Sequence, residues 1–326
     1  MFYIVFIMLC IILYFLGFYA KQNAVILILC RNSDADSISN TLHNFEERFN
    51  KVYKYPYVFL NDKEFTEEFK EKLNKVTNNN AEYGKIDTEV WDMPKNINLK
   101  TAQKYWKEMV QQRIPYADLL SYHNMCRFFS KSFYKHPLVQ KYEYYWRIEP
   151  GVKFHCDIDF DVFDVMKNNG YKYSFVITIY EYMATIKTLM KTTAQFLLEN
   201  NIEEKDNLKF MFDKGKYNGC HFWSNFEVAS FDFFRSKVYN DYVDYLERAG
   251  GFYYERWGDA PVHSIAASLF LDKKEIHFFN EIGYTHDIFM HCPSNGKNCD
   301  CDPGKSVDFT YSSCLPGYLK EQSQVI

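Results

Sequence analysis

An uninterrupted apolar segment, "AVILIL" at Ala24–Leu29, constrains the fold of this chain more than any other feature. Apolar residues at every position are typical of a strand that is buried on both faces of a parallel sheet. In the next segment Ile38, Leu42 and Phe45 recur with helical spacing, and a second apolar segment, "YVFLND", follows at 57–62. Strand, helix and strand form a βαβ unit, which predicts an α/β fold with helices covering a parallel sheet.

The ends of these two strands predict where a ligand binds. In open α/β sheets, ligands bind beside the carboxyl ends of the strands. Arg31 follows the first predicted strand, and Asn61 and Asp62 close the second. We therefore expect these three residues on the rim of a binding site.

The rest of the chain continues the α/β pattern without an internal repeat or a low-complexity linker. Further strands are predicted at 142–148, 173–180 and 275–280, and helices near 122–134, 185–199 and 232–248. Nucleic-acid binding is disfavoured, because the net charge is −4 and no run of Lys or Arg is long enough to follow a phosphate backbone. The aromatic share of 19% suits a large core and also pockets for sugar-like ligands.

The first 20 residues, "MFYIVFIMLCIILYFLGFYA", contain no charged side chain. As a helix rising roughly 1.5 Å per residue, such a segment crosses the hydrocarbon core of a bilayer. We expect residues 1–20 to be an uncleaved signal-anchor and residues 21–326 to be one luminal domain behind this single span. A cleaved signal peptide stays open as the alternative. No Lys or Arg precedes the segment, so the positive-inside rule gives no orientation.

The chain has nine cysteines, and four of them, Cys292, Cys299, Cys301 and Cys314, lie close together near its end. Behind a secretory anchor, disulfides are the expected state of such cysteines. The spacing does not give the pairing. A zinc site formed by Cys299, Cys301 and a nearby histidine is the alternative.

Four short segments combine acidic residues or histidines with aromatic residues. They are "RIEPG" at 147–151, "HFWSNFE" at 221–227, "ERWGDAPVH" at 255–263 and "GYTH" at 283–286. Acids in a pocket are costly to bury unless they are paired or bind a metal ion. Each residue alone has a structural explanation, but the four segments together favour a catalytic or binding site in the loops.

Two acidic clusters compete for the role of metal site. One contains Glu149, and the other is the Asp157–Asp159 pair, whose D-x-D spacing is typical of many metal-dependent sugar transferases. The residues alone do not decide between them.

Longer blocks resemble a known family. The blocks "YEYYWRIEP", "CHFWSNFE", "GGFYYERWGDAPVHSIAA" and "CDCDPG" resemble the signature blocks of the fungal α-1,2-mannosyltransferases, glycosyltransferase family 15. The resemblance runs from about residue 24 to residue 314, with the blocks in family order. It implies a GT-A-like nucleotide-sugar-binding fold, in which a Rossmann-like mixed sheet is flanked by helices, behind an N-terminal transmembrane helix.

The resemblance also implies an activity and a location. The family transfers mannose from GDP-mannose to the 2-hydroxyl of a mannose-terminated glycan acceptor in protein glycosylation, with retention of the anomeric configuration and with Mn²⁺ as cofactor. A single-pass type II protein of the Golgi membrane with a luminal catalytic domain is therefore expected. The alternative is a catalytically silent luminal relative that binds glycans or acts as a scaffold.

Site residues follow from the resemblance position by position. Glu149 and His286 match the family's Mn²⁺ ligands, which assigns the metal to the first acidic cluster and leaves Asp157 and Asp159 as structural residues. A carboxylate with an imidazole suits a borderline cation such as Mn²⁺.

Two further matched positions are expected to bind the donor. Arg31 and Tyr122 match the positions that hold the nucleotide and its phosphates. Arg31 is also one of the rim residues that the sheet pattern predicts.

Two carboxylates match the catalytic positions. Glu227 matches the family's candidate nucleophile, and Asp259 would bind sugar hydroxyls or act as acceptor base. The double-displacement route, with Glu227 as nucleophile, and front-face attack by the acceptor hydroxyl both stay open. Trp223 and Trp257 are candidates for sugar stacking or for the core, and His263 is expected to be structural.

Overall fold

A computed structural model describes residues 21–203 and 206–323 of the chain, with the backbone alone for residues 206–208. The predicted membrane span, residues 1–20, lies outside the described residues. Within the described ranges, no helix is both long and apolar enough to cross a membrane.

The described residues alternate between strands and helices in the way the sequence predicts. The strands are β1 (Ala24–Leu29), β2 (Tyr57–Asn61), β3 (Ala81–Lys85), β4 (Tyr144–Arg147), β5 (Lys153–Phe154), β6 (Tyr173–Phe175), β7 (Thr178–Tyr180), β8 (Phe212–Asp213), β9 (Lys216–Tyr217), β10 (Cys220–Phe222), β11 (Glu227–Ser230), β12 (Ile276–Phe278), β13 (Tyr284–His286) and β14 (Phe289–His291). The α-helices are α1 (Ala35–Phe45), α2 (Lys51–Tyr53), α3 (Glu67–Val76), α4 (Thr88–Trp91), α5 (Leu99–Gln111), α6 (Leu120–Lys131), α7 (Val162–Asn168), α8 (Leu189–Glu199), α9 (Phe231–Arg235), α10 (Lys237–Ala249), α11 (Gly251–Tyr254), α12 (Asp259–Phe270) and α13 (Leu315–Gln322). A π-helical segment, Glu46–Asn50, follows α1.

The central sheet has seven strands in the order β12-β6-β11-β4-β1-β2-β3. Strand β1 pairs in parallel with β2 on one side and with β4 on the other. Strand β11 is antiparallel to both of its neighbours, β4 and β6. The α/β prediction is therefore confirmed, and the sheet is mixed because β11 runs against its neighbours.

Strand β1 is buried on both faces, as its continuous apolar pattern predicts. Val25 and Leu27 pack into the hydrophobic core on one face of the sheet, whereas Ile26 and Ile28 pack into the core on the other face. All four side chains are fully buried. Burial of alternate side chains on opposite faces places helices on both sides of the sheet and leaves the carboxyl end of β1 as its functional edge.

The βαβ unit is also confirmed. Ile38, Leu42 and Phe45 are fully buried on one side of α1. The ring of Phe45 meets the indole of Trp146 edge to face, with ring centroids 5.0 Å apart. Helix α1 therefore packs against one face of β4, the strand that leads directly to Glu149.

Two predictions about strands are wrong. The apolar segment 173–180 is two strands, because β6 belongs to the central sheet while β7 pairs with β10 in a separate one. The second error is β3, which was not predicted and lies at the edge of the central sheet beside β2. Its Gly84 has no room for a side chain, since a Cβ there would meet the His136 ring at 2.6 Å.

Two disulfides attach the end of the chain to the rest of the domain, and a third closes a short loop within that end. They are Cys156–Cys299, Cys220–Cys314 and Cys292–Cys301. The disulfide prediction is confirmed and the zinc alternative is wrong, because the sulfurs of Cys299 and Cys301 are already in disulfides. Cys30 and Cys126 are free and buried, so the cysteines outside residues 1–20 do not form a fully paired set.

Candidate active site

A cleft of about 180 Å³ lies at the carboxyl ends of β1 and β2 and beside the residues that follow β4. Its polar lining consists of Arg31, Asp34, Asn61, Asp62, Ser121 and Glu149. Arg31, Asn61 and Asp62, which the sheet pattern places on the rim of a binding site, therefore line one cleft. We call this opening the first cleft.

Arg31 and Tyr122 lie in different surroundings. The guanidinium Nη2 of Arg31 donates to Ser121 Oγ at 3.2 Å on the wall of the first cleft. Tyr122 is not among the side chains that line this cleft. Its hydroxyl accepts a hydrogen bond of 2.9 Å from Arg256 Nη1, and its ring stacks on Tyr116 with centroids 5.0 Å apart.

Glu149 and His286 come together from distant parts of the sequence. Glu149 follows β4, and His286 is the last residue of β13. The two side chains are 26% and 27% exposed, and Glu149 Oε2 lies 3.5 Å from His286 Nε2. The buried Nδ1 of His286 has no hydrogen-bond partner among the described residues.

Arg147 joins the acidic residues of the site. Its Nη2 donates to Glu149 Oε1, and its Nη1 donates to Asp259 Oδ2 at 2.5 Å. The guanidinium carbon lies 3.5 Å from the centroid of the Phe129 ring, a cation–π arrangement. One oxygen of Glu149 is therefore fixed by Arg147, while the other faces His286.

Asp259 is the first residue of α12 and is buried. Besides Arg147, it accepts a hydrogen bond of 2.7 Å from Ser224 Oγ. Burial opposes the carboxylate charge, but Arg147, His263 and the hydrogen bond from Ser224 together outweigh burial and lower the pKa of Asp259. Asp259 is therefore an ionised acceptor at neutral pH.

Glu227 begins β11 and is fully enclosed. The hydroxyl of Tyr145 donates to Oε1, while Tyr173 Oη at 2.5 Å and His263 Nδ1 at 2.7 Å donate to Oε2. Burial, followed by the nearby carboxylate, raises the pKa of both tyrosines well above the usual range. Both phenols therefore stay protonated and keep donating to Glu227.

His263 is the charged partner of Glu227. Its Nε2 faces the backbone carbonyl of Phe129 at 3.0 Å, and its Nδ1 faces the carboxylate. Carbonyl and carboxylate oxygens accept but do not donate, so the ring satisfies both only when both nitrogens carry protons. Burial favours the neutral ring, but Glu227, Asp259 and the carbonyl of Phe129 together outweigh burial and raise the pKa of His263. We infer a buried imidazolium–carboxylate pair.

The other aromatic candidates differ in accessibility. Trp257 is buried, and its indole packs where a Cβ on Gly251 would be, so Trp257 belongs to the core. Trp223 is half-buried, and its ring meets the His286 imidazole edge to face at 4.8 Å. Trp223 therefore borders the Glu149–His286 site, whereas Trp257 does not offer a free ring face.

The D-x-D pair is occupied by structural contacts. Asp157 accepts hydrogen bonds from Arg48 at 2.6 Å and from Asn298 at 2.7 Å. Asp159 accepts one from Lys297 at 2.7 Å. These contacts attach the disulfide-linked end of the chain to the domain.

Sequence reasoning gave no role to four residues that organise the site. They are Tyr145, Arg147, Tyr173 and Ser224. One signal was available, because Tyr145 and Arg147 are two positions apart on β4 and therefore project from the same face of the sheet. The partners on β6, β11 and α12 are too far away in sequence for any local pattern to reveal them.

Comparison with known proteins decides the family. The model of the family described as "Glycolipid 2-alpha-mannosyltransferase" matches residues 14–323. The chain belongs to this family. The family resemblance seen in the sequence blocks is thereby confirmed.

Two curated members of this mannosyltransferase family are similar to the chain over most of its length. O-glycoside alpha-1,2-mannosyltransferase omh1 of Schizosaccharomyces pombe is 48% identical over 302 residues, which cover 90% of this chain and 77% of the relative. Alpha-1,2 mannosyltransferase KTR1 of Saccharomyces cerevisiae is 49% identical over 302 residues, which cover 90% and 76%.

Solved structures of the family share the fold. Core-mannan synthase A (CmsA/Ktr4) from Aspergillus fumigatus, in its Mn/GDP form, has a TM-score of 0.88 at 40% identity and covers 93% of this chain and 86% of that one. The mannosyltransferase Ktr4p of S. cerevisiae in complex with GDP also has a TM-score of 0.88, at 41% identity over 92% and 82%. The predicted GT-A-like mixed α/β fold is confirmed.

Proposed function

We propose that this chain is a retaining α-1,2-mannosyltransferase that uses GDP-mannose and Mn²⁺ and adds mannose to the 2-hydroxyl of a mannose-terminated glycan. The family and its relatives support this reaction. The observation that carries the proposal is the carboxylate–imidazole pair, Glu149 and His286, beside the first cleft. The alternative, a catalytically silent protein, has less support, because the curated relatives of this chain are named as transferases.

The residues present suit the metal ion. Glu149 has one oxygen that Arg147 does not bind and that faces His286 Nε2, and the Nδ1 of His286 has no hydrogen-bond partner among the described residues. A carboxylate oxygen and an imidazole nitrogen at 3.5 Å can both reach a cation with ligand distances of about 2.0–2.2 Å. When bound, Mn²⁺ would stabilise the negative charge that develops on the diphosphate leaving group.

Arg31 is proposed to bind the diphosphate of the donor. Its guanidinium lines the first cleft, at the end of the strand where α/β sheets bind nucleotides. Two acids, Asp34 and Asp62, line the same cleft. Their carboxylates are suited to accept hydrogen bonds from ribose hydroxyls or from N–H groups of the base, not to bind phosphate. Tyr122 is proposed to act at the boundary between donor and acceptor, where Arg256 fixes its hydroxyl.

Asp259 is proposed to orient a sugar hydroxyl. Its ion pair with Arg147 helps to lower its pKa, so the carboxylate is a weak general base but stays ionised and accepts hydrogen bonds. Ser224 and Arg147 fix the orientation of its Oδ2. This arrangement favours orientation of the acceptor over removal of its proton.

The surroundings of Glu227 favour the front-face route over double displacement. A nucleophile must touch the anomeric carbon, whereas both Glu227 oxygens are enclosed by three donors. We propose that Glu227 with His263 acts as a fixed charged pair behind Arg147. The acceptor hydroxyl would then attack from the side on which the diphosphate leaves.

A location in the secretory pathway is proposed together with the reaction. Three disulfides are stable in an oxidising lumen and rare in the cytosol. We propose that residues 1–20 anchor the chain as a single-pass type II protein of the Golgi membrane, with 21–326 as the luminal catalytic domain. Sequence support for the anchor is the uncharged apolar segment.

The test is transfer by the purified full-length chain in detergent. GDP-mannose and methyl α-mannoside are supplied with Mn²⁺ or with EDTA, and NMR identifies the linkage of the product. A Mn²⁺-dependent α-1,2-linked dimannoside supports the reaction, the donor and the stereochemistry. A β-linked product, or equal turnover in EDTA, would contradict the proposal.

A further inference from the structure

We propose that a second cavity of about 280 Å³ binds the sugar residue that precedes the accepting mannose in the acceptor glycan. The cavity lies between α5, the turn that precedes α8 and the end of α11. Its lining includes Tyr105, Glu108, Lys187, Tyr254 and Glu255. This inference rests on the proposed function, since it concerns the acceptor of the same reaction.

The lining has the chemistry of a carbohydrate site. Two tyrosine rings, Tyr105 and Tyr254, offer apolar faces to the C–H side of a sugar ring. Glu108 can accept hydrogen bonds from sugar hydroxyls, and Lys187 can donate to them. A hydroxyl both donates and accepts, so a neutral hexose can satisfy all of these groups at once.

One side of the cavity, formed by Tyr254 and Glu255, is fixed by hydrogen bonds within the protein. The hydroxyl of Tyr254 accepts a hydrogen bond of 2.9 Å from the backbone N–H of Asn98. Glu255 accepts hydrogen bonds from Thr188 Oγ1 at 2.7 Å and from Trp257 Nε1 at 2.8 Å. This side of the cavity is therefore formed before a ligand arrives.

The opposite side has polar groups without protein partners. Within the described part of the chain, the side chains of Tyr105, Glu108 and Lys187 make no hydrogen bond or ion pair, and all three are exposed. Such groups can bind a ligand without breaking an existing contact, which lowers the cost of binding.

Two segments connect this cavity to the active site. Glu255 lines the cavity, and the next residue, Arg256, donates to Tyr122 and to Glu181 Oε1. The segment 181–188 runs alongside, because Glu181 contacts Arg256 while Thr188 contacts Glu255. The cavity therefore adjoins the chain segment that leads, four residues further on, to Asp259, the residue proposed to orient the acceptor.

The charges of the cavity exclude the main competing ligands. Two carboxylates against one ammonium repel a phosphate or a second nucleotide. The lining offers neither the exposed sheet edge nor the apolar groove in which extended and helical peptides bind. A neutral sugar is the ligand class that the lining fits.

The test compares acceptors of different length with the full-length enzyme. We measure kcat/KM for methyl α-mannoside and for the methyl glycosides of α-1,2- and α-1,6-mannobiose. The wild type should prefer at least one disaccharide by about five- to tenfold, as expected for one stacked residue. The Tyr105→Ala/Lys187→Ala double variant should lose this preference while its kcat/KM for methyl α-mannoside stays unchanged.

Matched variants separate the outcomes. Tyr311→Ala, at a tyrosine that is 96% exposed and lies outside the cavity, should keep the preference. A wild type that uses all three acceptors equally well, or a double variant that keeps the preference, would overturn the subsite while leaving the proposed reaction in place. A wild type that transfers to none of them would instead remove the proposed function and the subsite with it.

Discussion

Two glutamates lie beside Arg147, and they differ in exposure and in the number of their hydrogen-bond partners. Glu149 lies two residues after Arg147 at the open first cleft, about a quarter exposed, with one oxygen directed at His286. Glu227 lies beside Arg147 in the antiparallel register of β11 and β4, with no exposed surface. The first carboxylate has an oxygen directed at His286 and available to a cation, whereas both oxygens of the second accept hydrogen bonds from buried donors.

We propose that the two carboxylates serve one reaction in different ways. A charge that contacts a ligand needs an oxygen without a protein partner, as Glu149 has. A buried charge is tolerated only with a full set of partners, and Glu227 has His263 and two tyrosines. Arg147 bridges the two regions, since it contacts Glu149 and, through Asp259, the start of the helix that carries His263.

The largest expected effect on activity is that of Glu149→Gln. The amide keeps the size of the side chain but removes the charge, so transfer should fall by about 10²–10³-fold, comparable to the loss of one stabilising electrostatic group. The melting temperature should stay close to that of the wild type, because Glu149 is partly solvated. Initial rates with GDP-mannose and saturating Mn²⁺ measure the first effect, and thermal melts measure the second.

Asp159→Asn is the matched control for this variant. It removes the same charge from the competing D-x-D pair, where the Asp159 carboxylate accepts a hydrogen bond from Lys297. Its transfer rate should equal that of the wild type. If Asp159→Asn were inactive and Glu149→Gln active, the metal assignment would have to move to the second acidic cluster.

The largest expected effect on stability is that of Glu227→Gln. The substitution leaves the His263 imidazolium buried without its counter-ion, which typically costs about 3–5 kcal/mol. Urea denaturation should show this loss, and Glu149→Gln should not. A Glu227→Gln/His263→Gln double variant should lose less stability than the sum of the two single variants, since the two charges are coupled.

The comparison also predicts how stability depends on pH. The pKa of His263 is raised in the folded state, so its ion pair stabilises the fold fully below the unfolded value of about 6.5 and is lost as pH rises through the folded value. The difference in unfolding free energy between wild type and His263→Gln should therefore shrink at alkaline pH. A difference that stays constant from pH 6 to the alkaline limit of folding would contradict the charged pair.

The contribution of Asp259 to stability changes with pH in the opposite direction to that of His263. The pKa of Asp259 is lowered in the folded state, so its stabilisation is present above the unfolded value of about 3.9 and is lost as pH falls through the folded value. Asp259→Asn should accordingly reduce the loss of stability below pH 4. Denaturation series at acid pH for both proteins measure this difference.

The smallest predicted effect is that of Asp157→Asn. Its ion pair with Arg48 is partly solvated, so the expected loss of stability is less than about 1 kcal/mol, with no change in transfer rate. A large loss of activity would mean that the end of the chain contributes to the site. Thermal melts and initial rates with the same preparation test both parts.

The elements that position the site were predictable where one segment decides its own environment. The continuous apolar pattern of Ala24–Leu29 admits only a strand buried on both faces, and its end fixes the position of Arg31. The prediction of one strand at 173–180 was wrong, because an apolar sequence does not specify which sheet each half joins. Strand β3 was not predicted, because an edge strand such as "AEYGK" needs few apolar residues.

The site itself was less predictable. Metal positions came from the family resemblance, because Glu149 and His286 are far apart in sequence and meet only when β13 packs against β5, just after Glu149. The enclosure of Glu227 depends on Tyr145, Tyr173 and His263 from β4, β6 and α12. No local pattern reveals that three separate elements converge on one carboxylate.

The most direct test of this account is calorimetric titration of GDP into the full-length protein with Mn²⁺ and with EDTA. We predict that Mn²⁺ tightens GDP binding to the wild type and to Asp159→Asn. In Glu149→Gln and His286→Ala the affinity should be the same with and without Mn²⁺. If both of these variants kept the Mn²⁺ effect and Asp159→Asn lost it, the assignment of the metal to Glu149 and His286 would be contradicted.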